Sequence, residues 1–246
     1  MRHAYGSDPN QWAQLSRAHG LSRGVAVVIH GGFWRTKYDA SLGEDLARDL
    51  ALRGWDAYNV EYRRVGGGGG WPTTLRDIAD AIDFLATVGL DLTRVVAIGH
   101  SAGGHLATWA GGRAQLSPGE PGASPRVELT GVIAQAGVLD LRSGARDAVG
   151  GTAIIDLLGG SPEEVPERYD LADPLSMAPL EIPVFCVHST EDDSVPFSQS
   201  ESYVSDALRL GAVAELLEFH GDHMEHVDPT SGAWQLALEA LDRLAE

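Results

Sequence analysis

What most constrains this chain is a set of short valine- and isoleucine-rich runs with no polar face: Val25-Ala26-Val27-Val28-Ile29, Val95-Val96-Ala97-Ile98, Val132-Ile133-Ala134-Gln135 and Val184-Phe185-Cys186-Val187. A strand with one face in water alternates apolar and polar residues; a strand covered on both faces does not. Stretches with helical spacing separate these runs. Leu42, Leu46 and Leu50 share a face of a predicted helix over residues 41–53, which Gly54 stops. Leu75, Ile78, Ala79, Ile82 and Leu85 share a face over 72–87, with Pro72 in the first turn. Further strands are predicted over 55–62 and 214–219, and further helices over 198–210 and 231–244. Such strands, joined by amphipathic helices, require an α/β three-layer sandwich: a mostly parallel twisted sheet with helices on both faces. Right-handed crossovers leave little freedom in its topology.

The 246 residues contain nothing like a long structureless linker, so a single domain over 1–246 is expected. Three segments depart from the pattern. Residues 65–71 hold five consecutive glycines without the Lys-Ser/Thr ending of a phosphate-binding loop, and read as a flexible connection. Residues 116–125 are dense in Pro, Gly and Ser and read as a surface loop. Residues 140–180 are longer than a crossover needs, with short helices predicted near 154–158 and 162–169. This excursion is a candidate lid or binding segment.

Composition removes several function classes. The formal net charge of −17 argues against nucleic acid and anionic membrane as partners, since both require a basic footprint. No apolar run is long enough to span a bilayer and the first residues lack an apolar signal core, so a soluble, cytoplasmic protein is expected. The single cysteine, Cys186, cannot form an internal disulfide; inside its apolar run it reads as a buried, inert thiol.

Chemistry concentrates at the ends of the predicted strands. Gly99-His100-Ser101-Ala102-Gly103-Gly104-His105 follows the run at 95–98 and leads into a helix-compatible stretch at 106–110. A nucleophile on a strained strand-to-helix turn needs small residues two places before and after it, which makes Ser101 the candidate nucleophile. Read alone, this is also what a glycine-rich turn with an incidental serine looks like. Its company favours the nucleophile. His30-Gly31-Gly32-Phe33-Trp34 follows the run at 25–29 and could aim backbone N–H groups into a pocket; Gly32 and Phe33 are the candidate oxyanion donors there, with Ala102 after the serine.

Three acids compete after the run at 184–187, in Glu191-Asp192-Asp193 ahead of Val195-Pro196. Asp192 is preferred, Asp193 is second, and Glu191 is expected to face solvent. In His220-Gly221-Asp222-His223-Met224-Glu225-His226, His223 is the candidate base, with His220 close to the strand end and His226 close to the last helix. The three-residue histidine spacing also suggests a metal, but the cluster is local and lacks a distant carboxylate or cysteine set. His100 and His105 read as packing or hydrogen-bonding residues, His30 as ordering the donor loop and His188 as capping its strand. Trp34, Tyr62 and Trp71 could form an aromatic-accepting pocket, with core packing the competing role.

In this order of motifs the chain resembles the α/β-hydrolase superfamily over nearly its whole length. Phe33-Trp34, Gly104-His105-Leu106, and the stretch from His223 through Asp228-Pro229 to Trp234 are similar to the arylformamidase (kynurenine formamidase) and small carboxylesterase branch. The resemblance implies an α/β-hydrolase fold and a serine hydrolase that cleaves a small-molecule ester or N-formyl amide. Ser101, His223 and Asp192 would form its triad, Gly32, Phe33 and Ala102 its oxyanion hole, and no cofactor or metal would be needed. A general carboxylesterase or peptidase-like hydrolase is the second reading. A catalytically silent ligand-binding module is the third, because fold does not imply function. Only about twenty residues precede Val25, so the first hairpin of the sheet is expected to be short or partly missing.

Overall fold

In the computed structural model, which describes residues 1–245, the apolar runs become strands of one eight-stranded sheet. In chain order these are β1 (Arg2–Ala4), β2 (Trp12–Ser16), β3 (Val25–Ile29), β4 (Asp56–Glu61), β5 (Val95–His100), β6 (Gly131–Gln135), β7 (Val184–Ser189) and β8 (Ala214–Phe219). The helices are α1 (Glu44–Leu52), α2 (Thr73–Phe84), α3 (Ala102–Gly111), α4 (Leu141–Arg146), α5 (Ala153–Leu158), α6 (Pro166–Ala172), α7 (Pro174–Met177), α8 (Ser198–Arg209) and α9 (Gly232–Arg243).

Period-two alternation decides which helices each strand residue meets. Val25, Val27 and Ile29 of β3 belong to a core with Leu75 and Ile78 of α2, Leu106 of α3 and Tyr203 of α8. Ala26 and Val28 belong to the opposite core, with Leu46 and Leu50 of α1 and Trp234 and Leu238 of α9. Both faces of the central strands are buried, which is why their sequences carry no polar alternation.

The strand order is β1-β2-β4-β3-β5-β6-β7-β8; β1, β2 and β4 are joined antiparallel, and every pairing from β4 to β8 is parallel. The chain runs outward from β3 to β4, then crosses back to β5. This reversal opens a crevice at the carboxyl ends of β3 and β5. Because the strands are parallel, the segments after β3, β5, β7 and β8 all emerge at that same edge.

Four local differences from the sequence reading have physical causes. Helix α3 begins at Ala102, directly after the serine, and not near residue 106: Ala102, Gly103 and Gly104 are small enough to lie on the sheet. A Cβ at Gly103 would come within 2.0 Å of the Ile29 carbonyl oxygen. The first hairpin is short but has both strands, and β2 pairs with β4 from Trp12 opposite Glu61 to Ser16 opposite Ala57.

The segment 65–71 is a built turn and not a slack connection. The N–H groups of Gly67 and Gly69 donate to the Arg64 carbonyl at 2.8 and 2.9 Å, and the Trp71 N–H reaches the Leu157 carbonyl at 2.6 Å. The excursion at 140–180 holds four short helices; the second predicted one starts at Pro166, not 162. One buried carboxylate, Asp173, accepts from the N–H groups of Leu141 at 3.0 Å and Leu175 at 3.3 Å, tying α4 to α7. Among the described residues, no helix is long and apolar enough to cross a membrane.

Candidate active site

Ser101 occupies the turn between β5 and α3 with φ 57° and ψ −120°, a conformation that costs a non-glycine residue about 1–3 kcal/mol. The surroundings leave no alternative. A Cβ at Gly99 would lie 2.0 Å from the Gly103 carbonyl oxygen, so strand and helix approach more closely than any side chain permits. The Ser101 N–H is anchored to the Gln135 carbonyl at 2.7 Å. The hydroxyl is thereby held at the carboxyl end of β5 by backbone strain and packing together.

Asp192 and His223 meet after the last two strands. Asp192 Oδ2 accepts from His223 Nδ1 at 2.7 Å, across 31 residues of chain. Its other oxygen, Oδ1, accepts from the N–H groups of Ser194 at 2.9 Å and Val195 at 2.8 Å, a local turn that fixes the carboxylate plane and accounts for its position just ahead of Val195. His188 lies behind, with Nε2 3.5 Å from Oδ2 and 3.0 Å from the Val195 carbonyl.

Burial alone would raise the Asp192 pKa, but the hydrogen bonds of His188, His223 and the Val195 N–H outweigh it and hold the carboxyl far below the usual carboxylate range. An ionised carboxylate can only accept. The shared proton therefore sits on His223 Nδ1, leaving the lone pair of the neutral ring on Nε2. The competing acids point elsewhere: Asp193 accepts from the Ser194 hydroxyl at 3.0 Å, and Glu191 is exposed beside His220.

The three histidines of the 220–226 segment diverge. His220 is exposed, His223 faces Asp192, and His226 is fully buried between the rings of His100 and Phe219. Burial and the neighbouring His100 lower the His226 pKa well below the ordinary histidine value. Among the described residues, no group of three or more His, Cys, Asp or Glu side chains is placed to hold a metal ion. His188 is an interior residue of β7 whose Nδ1 meets the Ser200 hydroxyl at 2.8 Å, so it does not cap the strand. His30 lies at the start of the donor loop, its Nδ1 2.8 Å from the Gly31 carbonyl and its ring stacked on Tyr62.

Ser101, His223, Gly32 and Phe33 line one cavity of about 240 Å³. Tyr38, Leu42, His100, Ser194 and Met224 complete its walls, and among the described residues no Lys, Arg, Asp or Glu contributes to them. The donor loop lies directly on the serine: a Cβ at Gly31 would fall 2.9 Å from Ser101 Cβ. Gly32 has φ 107° and is covered by the Tyr38 ring, while Phe33 and Trp34 adopt positive φ of 49° and 55°. Among the described residues, no backbone carbonyl accepts from the N–H of Gly32, Phe33 or Ala102. These donors are left for something else to meet.

Of the two roles open to Trp34, Tyr62 and Trp71, an aromatic-accepting pocket or packing, the structure shows packing. Trp34 is fully buried, its indole N–H donating to His105 Nδ1 at 3.2 Å, and Tyr62 is fully buried with its hydroxyl donating to the His30 carbonyl at 2.8 Å. Trp71 packs against the core beside Leu157. None of the three lines the cavity. Nor does any residue of 140–180. That segment touches the site through Phe33, whose ring Gly150 abuts, and Arg35 donates to the Gly150 carbonyl at 3.2 Å. Sequence reasoning missed Tyr38, Ser194 and Met224 as wall residues, and nothing in their spacing marks them; Leu42, whose spacing put it on a helix face with Leu46 and Leu50, lies in the turn before that helix and lines the cavity instead.

Comparison with known proteins agrees with this architecture. The BD-FAE family model matches residues 15–207. A curated relative from Oryza sativa subsp. japonica, a probable isoprenylcysteine alpha-carbonyl methylesterase, is 27% identical over 235 residues, covering 87% of this chain and 55% of that protein. The chain thus spans about half the length of that relative. A truncated form of a carbohydrate esterase from gut microbiota superposes with a TM-score of 0.81 at 19% identity, over 99% of this chain and 95% of that one. The butyrate-bound thermophilic esterase Est2 of Thermogutta terrifontis superposes with a TM-score of 0.77 at 23% identity, over 99% and 92%. The fold is that of the α/β-hydrolases.

Proposed function

We propose that this chain, which belongs to the BD-FAE family, is a serine carboxylesterase that cleaves small uncharged esters through an acyl-enzyme on Ser101. One observation carries the reading: the Asp192–His223 pair at 2.7 Å, with His223 on the wall of the same cavity as Ser101 and the N–H groups of Gly32 and Phe33, which no backbone carbonyl among the described residues meets.

In the first half-reaction His223 Nε2 takes the Ser101 hydroxyl proton as the oxygen attacks the ester carbonyl. Asp192 stabilises the imidazolium that forms. The N–H groups of Gly32, Phe33 and Ala102 stabilise the oxyanion, an interaction worth about 3–4 kcal/mol per donor in related chemistry. The imidazolium then protonates the leaving alcohol, giving alcohol and acyl-enzyme. In the second half His223 deprotonates water, which attacks the acyl carbonyl; the carboxylic acid leaves and the serine regains its proton.

The uncharged walls and small volume favour a neutral, compact acyl group. An ester is preferred to the N-formyl amide of an arylformamidase because the curated relative is named as a methylesterase and the structural neighbours as esterases. Hydrolysis of p-nitrophenyl esters from acetate to octanoate, run beside N-formylkynurenine, tests this. The expected result is turnover of the acetate and butyrate esters, abolished in Ser101→Ala. Turnover of the formamide alone, or turnover that survives Ser101→Ala, would overturn it.

A further inference from the structure

Every member of the site discussed so far is held by its own strand or turn, except one relation. The nucleophile stands after β5 and the base after β8, with β6 and β7 between them in the sheet. Something must fix the base loop relative to the serine.

His100, the residue immediately before the nucleophile, spans the gap. Its Nε2 lies 3.0 Å from the main-chain carbonyl oxygen of His223, and the two rings sit with centroids 4.5 Å apart. A carbonyl only accepts, so His100 must carry its proton on Nε2. Burial, then the neighbouring His223, holds its pKa down to about 3, which keeps the ring neutral through the neutral pH range. The donor is therefore a fixed feature and does not titrate with the base. Gln135, at the end of β6, adds a second tether: its side-chain amide donates to the His226 carbonyl at 3.2 Å. The segment His223–Val227 is thus tied to the sheet at two carbonyls by side chains from two adjacent strands.

We propose that His100 is a positioning residue: through its Nε2–H bond to the His223 carbonyl it fixes the distance between the general base and the serine that follows it. The assignment rests on the serine-hydrolase reading above and adds to it. One residue serves as both the covalent neighbour of the nucleophile and the hydrogen-bond partner of the base. A shift in the base loop is thereby coupled to the elbow within a single amino acid. Misplacement of a catalytic group by about 1 Å costs about 100-fold in rate, so this short linkage falls on kcat before it falls on substrate binding.

Two substitutions separate this role from packing. His100→Phe keeps a ring in the buried pocket and removes the donor; His100→Gln gives up the ring and keeps an N–H close to the position of Nε2. With p-nitrophenyl acetate, kcat should fall about 10- to 100-fold in His100→Phe, with KM within about threefold, and should be substantially recovered in His100→Gln. If the ring matters only for packing, the order reverses. Wild-type kcat in His100→Phe, or equal losses in both variants, would overturn the proposal.

Ser101→Ala, run alongside, isolates the underlying reading. Turnover retained there removes the serine mechanism, whereas loss there with an unaffected His100→Phe removes only the clamp. Should the Phe variant fail to fold, ¹⁵N spectra of the wild-type imidazoles decide. A neutral Nε2-protonated His100 from pH 5 to 8 is expected, and an Nδ1-protonated ring would refute the bond.

Discussion

At Asp192 one carboxylate meets two backbone N–H groups and the Nδ1–H of His223, with His188 Nε2 3.5 Å behind it. The first two set its plane, and the third sets the tautomer of the His223 ring. Replacing Asp192 by Asn keeps the shape and reverses the polarity. The new amide would donate to His223 Nδ1, moving the ring proton to Nε2, where it blocks proton transfer from Ser101. A loss of about 10³- to 10⁴-fold in kcat is expected. Asp193→Asn, on a side chain that accepts from the Ser194 hydroxyl and does not face His223, should stay within about twofold of wild type, and steady-state kinetics on the two purified variants checks the pair. Residue types at strand ends make Ser101, Asp192 and His223 legible as candidates, and spacing ahead of Val195-Pro196 favours Asp192 over Asp193. Which of these adjacent acids faces His223 is a matter of direction, and direction is a property of the folded turn. The walls of the cavity were equally invisible. Tyr38 arrives because the donor loop needs a cover over Gly32, a packing demand with no periodic signature.

The central strands could be read from sequence because burial on both faces removes polar residues, leaving runs of valine and isoleucine. The hairpin β1–β2 could not: three and five residues with exposed or half-buried positions carry too little pattern. The excursion at 140–180 resisted for another reason. Its short helices are held by capping and tertiary contact and not by long amphipathic faces, with Asp140 capping α4 and Asp173 capping α7. Asp173 gives this element a pH dependence. Burial pushes its pKa up to about 7, whereas an unfolded aspartate titrates near 3.9. Between those values the folded state holds a proton that the unfolded state has released, so stability falls as pH rises through the window, by a few kcal/mol at most, and levels off above about 7. Thermal melts from pH 5 to 8 should show a declining melting temperature in the wild type and a flatter profile in Asp173→Asn. Parallel profiles would contradict the assignment.

Across the whole molecule, four parallel strands deliver four loops to one edge, and this alone brings together residues as distant in sequence as Gly32 and His223. The α/β sandwich, the helices on both faces and the edge at which chemistry collects all follow from strands that are apolar on both sides. What the topology does not specify is the register of one loop against another, and there the hydrogen bond from His100 to the His223 carbonyl has its place. The proposed mechanism stands on Ser101 as the nucleophile. Treating the protein with a fluorophosphonate and mapping the adduct by peptide mass spectrometry tests this most directly. The predicted result is one covalent adduct per chain, located on Ser101 and absent from Ser101→Ala; an unmodified Ser101, or an adduct on any other residue with Ser101 free, would contradict it.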